Sequence, residues 1–96
     1  MMLHTISCKP AMDAFRDCLR VASKGDAIVL LGDGVYSALP GSDARQALDE
    51  CPARVLALDT DVTAAGLASR LNDLALVDMD GLVALSEYYP RQLAWY

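Results

Sequence analysis

Positive charge is scarce in this chain: 8 Lys and Arg stand against 13 Asp and Glu, for a formal net charge of -5. That balance opposes non-specific attachment to phosphate backbones or anionic membranes, so direct nucleic-acid or membrane binding is not expected. Long apolar runs are also missing. Lys24, Gly25 and Asp26 interrupt the best stretch, and Gly32, Asp33 and Gly34 end it, well short of the roughly 18–20 residues of a membrane span. Met1 to Pro10 shows no basic segment followed by an apolar core and a cleavage site, so no secretory signal is expected and the chain reads as cytoplasmic. Cysteine is limited to 3 residues without CxxC spacing. That pattern points to neither a zinc site nor a dithiol redox pair, and the odd number leaves a free thiol, as suits a reducing compartment. No cofactor or metal is expected.

What is present is apolar. Hydrophobic residues make up 54% of the 96 positions, and the mean hydropathy is +0.26. Disorder is excluded by that composition, and one domain over residues 1–96 is expected. A chain this short hides a modest fraction of its surface on folding. Its apolar excess therefore points to strands buried on both faces, to an apolar subunit interface, or to both.

The hydrophobic pattern alternates strand and helix. Leu3–Ile6 reads as a short strand, and Pro10 as the approach to a helix over Met12–Ser23, with Met12, Phe15, Leu19 and Ala22 on one face and Gly25 as its stop. Ala27–Leu31 is an unbroken apolar run suited to a central parallel strand, turned by Gly32-Asp33-Gly34. Val35–Leu39 is expected as a short helical turn, and Ser42 as the cap of a helix through Asp49. Val55–Leu58 reads as a third strand, followed by a helix from about Val62 to Arg70 capped by Asp59, Thr60 or Asp61. Leu74–Val77 reads as a fourth, followed by a helix capped by Asp80 and ended near Tyr89 by Pro90; Gln92–Tyr96 could add a last strand. This order predicts an α/β fold with a mainly parallel sheet between helical layers, because parallel neighbours need crossover connections.

Ligands in such sheets sit beyond the carboxyl ends of the strands, here the segments around Cys8, Asp33, Asp59 and Asp78. Leu76-Val77-Asp78-Met79-Asp80-Gly81 looks like the DxDG nucleophile motif of haloacid-dehalogenase-type phosphatases. Only 16 residues follow Asp80, none of them lysine, so helix capping is the better reading of both carboxylates. Gly32-Asp33-Gly34-Val35-Tyr36-Ser37 echoes a dinucleotide loop, but Asp33 would repel a pyrophosphate, and a tight strand exit fits better.

Among the thiols, Cys51 follows Asp49 and Glu50 at a helix C-terminus, where a thiolate is disfavoured. Cys8 has the best local chemistry, beside Lys9 and ahead of a helix; Cys18 lies inside that helix and reads as packing. His4, the only histidine, reads as a satisfied strand residue. Tyr88, Tyr89, Trp95 and Tyr96 put four of the six aromatic residues at the C-terminal end, which makes them interface candidates, with packing on the chain's own core as the alternative.

Taken together, Met2-Leu3-His4-Thr5, Gly25-Asp26, Asp33-Gly34-Val35, Ala57-Leu58, Arg70-Leu71, Val77-Asp78 and Gln92-Leu93-Ala94-Trp95 give a chain that resembles the TusB/DsrH family of sulfur-relay subunits over nearly its whole length. The resemblance implies a DsrE/F/H-like, flavodoxin-like three-layer sandwich. It also implies an accessory place beside TusC-like and TusD-like subunits in a heterohexamer, between a TusA-like persulfide donor and a TusE-like acceptor, in 2-thiolation of the tRNA wobble uridine. In DsrH-type relatives serving sulfur oxidation the subunit carries a cysteine in its first helix, Cys18 falls at the matching position, and the alternative function is a DsrH-type subunit with Cys18 as a sulfur-binding thiol. The family pattern thus ranks Cys18 first and Cys8 second as a persulfide carrier, the reverse of local chemistry.

Overall fold

The run Ala27–Leu30 (β2) is buried at every position and forms the middle strand of a five-stranded sheet in the computed structural model, which describes residues 1–96. Its neighbours are Met2–Ile6 (β1), paired Leu3 to Ala27, and Arg54–Leu58 (β3), paired Leu56 to Val29. Ala75–Val77 (β4) lies outside β3, and Arg91–Trp95 (β5) lies outside β1, pairing Ile6 with Trp95. All four pairings are parallel and the order is β4-β3-β2-β1-β5. A strand buried on both faces needs no polar alternation, which is why an unbroken apolar segment marks the centre.

The helices are Asp13–Val21 (α1), Asp43–Glu50 (α2), Asp59–Ala64 (α3) and Met79–Tyr88 (α4), with a 3-10 helix over Gly32–Ala38. The first three crossovers wind in one direction and the last, from β4 to β5, runs back the other way. Crossovers are right-handed, so this reversal forces α4 onto the opposite face. One face carries a large core that includes Ile6, Phe15, Cys18, Ile28, Leu30, Val35, Leu48, Val62 and Leu71. The other has a small core of Leu3, Ala27, Val29, Leu56 and Tyr89, on which Leu82 and Leu85 of α4 pack. No residue of α4 before its cap is fully buried.

Several local expectations need correction. The helix expected over Val62–Arg70 is the short α3. It stops at a Schellman turn in which Gly66, at φ 76°, lets Leu67 N–H reach Val62 O at 3.0 Å and Gly66 N–H reach Thr63 O at 3.0 Å. None of Asp59, Thr60 or Asp61 caps it, since the cap position is Leu58. Asp61 instead accepts the first N–H of the 3-10 helix, from Gly32, at 2.8 Å. The cap of α4 is Asp78, which accepts Gly81 N–H at 2.7 Å, while Asp80 sits in the first turn. The α1 helix ends at Val21, short of Gly25, and turns Cys18 inward while Met12 is exposed. Ser42 caps α2 as expected, accepting from Arg45 N–H at 3.1 Å.

Two polar fastenings hold the layers. Arg45 of α2 is nearly buried and donates to Ala38 O at 2.7 Å, to Asp49 at 3.1 Å and to Asp73 at 3.0 Å. Burial alone would lower its pKa, but the paired carboxylates outweigh that and raise it. The second is Asp26, in the turn before β2. Its carboxylate accepts Met2 N–H at 2.9 Å and Ser23 N–H at 3.0 Å, and pairs with His4 Nε2 at 3.0 Å. Burial would raise the Asp26 pKa, yet these bonds hold it below the ordinary carboxylate range. On the far side of the imidazole, Trp95 Nε1–H donates to His4 Nδ1 at 3.1 Å. One carboxylate therefore joins the start of β1, the end of α1 and, through His4, the end of β5.

Two substitutions test this frame. Asp26→Ala leaves three donors without their acceptor and is expected to cost about 2–4 kcal/mol in urea unfolding. Because the Asp26 pKa is lowered on folding, its contribution is complete above about pH 4 and is lost as pH falls through the folded value. That part of the acid dependence should vanish in the variant. In Gly34→Ala the new Cβ would stand 2.1 Å from Ile6 O. Backbone cannot yield that far cheaply, so a loss of about 2–4 kcal/mol is expected by the same measurement.

Candidate functional site

The thiols come from three elements that face the large core. Cys8 lies between β1 and α1, Cys18 on the inward face of α1, and Cys51 caps α2; all three are free. Cys18 is 0% exposed and Cys8 7%, whereas Cys51 is half-buried. Burial, then the negative charges that Cys51, Cys8 and Asp26 would present, push the Cys18 thiol up to about 12. At neutral pH it is held as the thiol. Burial also raises the Cys8 pKa, although the N–H groups of Cys8 and Phe15, the latter in the first turn of α1, offset part of the shift. The position that family resemblance favours is thus the one with the least exposure and the least thiolate. In this conformation a persulfide donor has no open approach to it.

The C-terminal aromatics divide into two pairs. Tyr89 is 9% exposed and belongs to the small core. Trp95 packs its ring on the large core and bonds His4. Tyr88 is 67% exposed and Tyr96 85%. Tyr88 meets the ring of Tyr89 edge-on at 5.1 Å between centroids, so a buried ring positions an exposed one. Tyr88 and Tyr96 stand at opposite ends of β5, with exposed Leu93 between them. Tyr89 and half-buried Trp95 thus pack on the chain's own cores, whereas Tyr88 and Tyr96 turn their rings to solvent.

The carboxyl ends of the strands hold little else. A cleft of about 200 Å³ is lined by Gly32, Asp33, Tyr36, Asp61, Ala64 and Ala65. Asp61 is already engaged with Gly32, and no three His, Cys, Asp or Glu side chains gather where a metal ion could be held. A second hollow of about 390 Å³ lies between α1 and α2, beside Phe15, Ala44 and Ala47. The DxDG resemblance resolves into local structure, since Asp78 is spent on Gly81 N–H. Sequence reading missed the roles of Asp26 and Arg45. The only signal for either is a charged residue beside an apolar segment, which is common on solvated surfaces too.

Exposure and ionisation together set an order of thiol reactivity. Under native conditions iodoacetamide should modify Cys51 first, Cys8 slowly, and Cys18 only after unfolding; peptide mass spectrometry of a time course reads the order directly.

Comparison with known proteins agrees with this architecture. The family model described as DsrH like protein matches residues 9–92. Protein TusB of Escherichia coli strain K12 is 39% identical over 95 residues, covering 98% of this chain and 100% of that protein. Protein TusB of Sodalis glossinidius is also 39% identical over 95 residues, with the same coverage. Among solved structures, Tm0979 from Thermotoga maritima superposes with a TM-score of 0.70 at 26% identity, over 92% of this chain and 93% of that one. The ychN protein from E. coli gives a TM-score of 0.75 at 12% identity, over 97% of each chain, which speaks for the fold alone. With a whole-length match in sequence and a parallel α/β sheet in structure, the chain belongs to the DsrH-like family that includes the TusB proteins.

Proposed function

We propose that this chain is an accessory subunit of a cytoplasmic TusBCD-type sulfur relay, with residues 1–96 acting as one TusB/DsrH-like unit. In this reading it docks with TusC-like and TusD-like subunits in a heterohexamer and leaves the persulfide to a partner's cysteine. Sulfur enters from a TusA-like donor, leaves to a TusE-like acceptor, and ends in the 2-thio group of the tRNA wobble uridine. The observation that carries the reading is a contrast within the chain. Its carrier-position thiol, Cys18, is sealed and protonated, whereas the rings of Tyr88 and Tyr96 are largely open to solvent. Large exposed aromatic rings are the usual anchors of protein interfaces. The acidic net charge of -5 fits a subunit that does not itself touch tRNA.

Co-expression with TusC-like and TusD-like partners should give a co-purifying complex. The Tyr88→Ala/Tyr96→Ala double variant should weaken that association by about tenfold or more, with an unchanged circular dichroism spectrum. When the intact complex meets a persulfide donor, mass spectrometry should find one added sulfur, about 32 Da, on a partner's cysteine and none on Cys18. An adduct on Cys18 would instead favour the DsrH-type role, in which this subunit binds sulfur itself. A chain indifferent to both partners would defeat the proposal altogether.

A further inference from the structure

The last strand is held by few means. β5 pairs with β1 alone, its residues Arg91 to Ala94 are all exposed, and only Trp95 turns a side chain into the core. Beyond the ladder, its C-terminal end is fixed by Ser7 N–H donating to Trp95 O at 3.0 Å and by the indole bond to His4. An indole nitrogen only donates, so His4 Nδ1 must offer a lone pair to receive it. The single remaining imidazole proton then sits on Nε2, where it donates to Asp26 Oδ2 at 3.0 Å. The bonded state of the triad is therefore one tautomer of neutral histidine.

We propose that the Trp95–His4–Asp26 triad is a proton-sensitive latch that fastens β5 when His4 is neutral and releases it when His4 takes up a proton. The incoming proton, from solvent, adds to the Nδ1 lone pair. No covalent bond breaks, but the Nδ1–H so formed confronts the indole N–H, and the bond to Trp95 is lost. The charged imidazolium keeps its bond to the Asp26 carboxylate, so the change acts on the β5 side of the ring and not on the turn before β2.

Asp26 is the one charged group in contact with His4. His4 is fully buried, and β2 beside it carries no ionisable residue. On α1, packed over it, the inward groups are Phe15 and Cys18, the latter a protonated thiol, while Asp13, Arg16, Asp17 and Arg20 point to solvent. Asp26 faces it from the turn, with Lys24 of the same turn exposed, and β5 adds only Arg91, exposed at the strand's first position. Release would loosen the edge bearing Leu93 and Tyr96, which makes that edge respond to acidity.

His4 and Trp95 are the only histidine and the only tryptophan of the chain, so both ends of the bond are observed without ambiguity. In the ¹⁵N-labelled full chain near neutral pH, imidazole nitrogen shifts should report the Nε2–H tautomer. Across a pH titration the indole N–H and the imidazole nitrogen shifts should move together, with one midpoint. As the pH drops through that midpoint, amide protection factors in β5 should fall at least tenfold while those of β2 hold. His4→Gln offers an amide oxygen and an amide N–H without a titration, and should keep the indole bond at every pH tested. If that variant does not fold, Trp95→Phe keeps a packed ring without a donor and should show β5 protection that no longer depends on pH. A Nδ1–H tautomer at neutral pH, an indole resonance indifferent to the histidine, or β5 and β2 losing protection together would each overturn the latch.

Discussion

The Asp26 carboxylate is the point on which the other fastenings converge. It lies just ahead of β2 and uses both oxygens, on Met2 N–H, Ser23 N–H and His4, and its own backbone carbonyl accepts Arg54 N–H at 3.0 Å at the start of β3. Strands adjacent in space but remote in sequence are thus brought into line by one side chain and its peptide group. Buried carboxylates are costly unless every lone pair is used. This one meets three donors, which is why its ionised form is favoured despite burial. Remove it and the register of β1 against β2 loses its side-chain anchor, with the backbone ladder and apolar packing left to hold it.

Winding direction decides the rest of the architecture. Three successive crossovers put α1, α2 and α3 on one face, where the core takes in two of the three thiols. The single reversed crossover leaves α4 alone on the other. The arrangement separates two kinds of chemistry. Cys8 and Cys18 sit where water and charge are excluded, so their protonated forms dominate, and the exposed Tyr88 and Tyr96 flank β5. A chain built this way offers shape and surface to an assembly more readily than it offers a nucleophile.

Much of the fold was legible because burial writes itself into composition. Ala27–Leu31 could only be a strand enclosed on both sides, Ser42 had the chemistry of a cap, and the spacing of apolar segments demanded crossovers. Lengths of the short elements were less accessible. The end of α3 depends on a positive φ at Gly66 and on Leu67 folding back to Val62, and a periodic pattern continuing past that glycine hides the break. Asp78 and Asp80 are equally good caps in sequence, and only the backbone path after β4 selects the first. The site was harder still. Whether Cys18 is open or sealed, and which of Tyr88 and Tyr89 meets solvent, depends on a helix rotation of a fraction of a turn, which neighbouring elements set.

The unequal layers also give the molecule two mechanical characters. On the side of α1 to α3, separating helix from sheet means uncovering Phe15, Val35, Leu48, Val62 and Leu71 together, a concerted event that approaches whole-chain unfolding. On the side of α4, only half-buried Leu82 and Leu85 and the ring of Tyr89 need part from the strands. Parting that helix from the sheet uncovers less apolar surface than parting the opposite layer, so it costs less free energy.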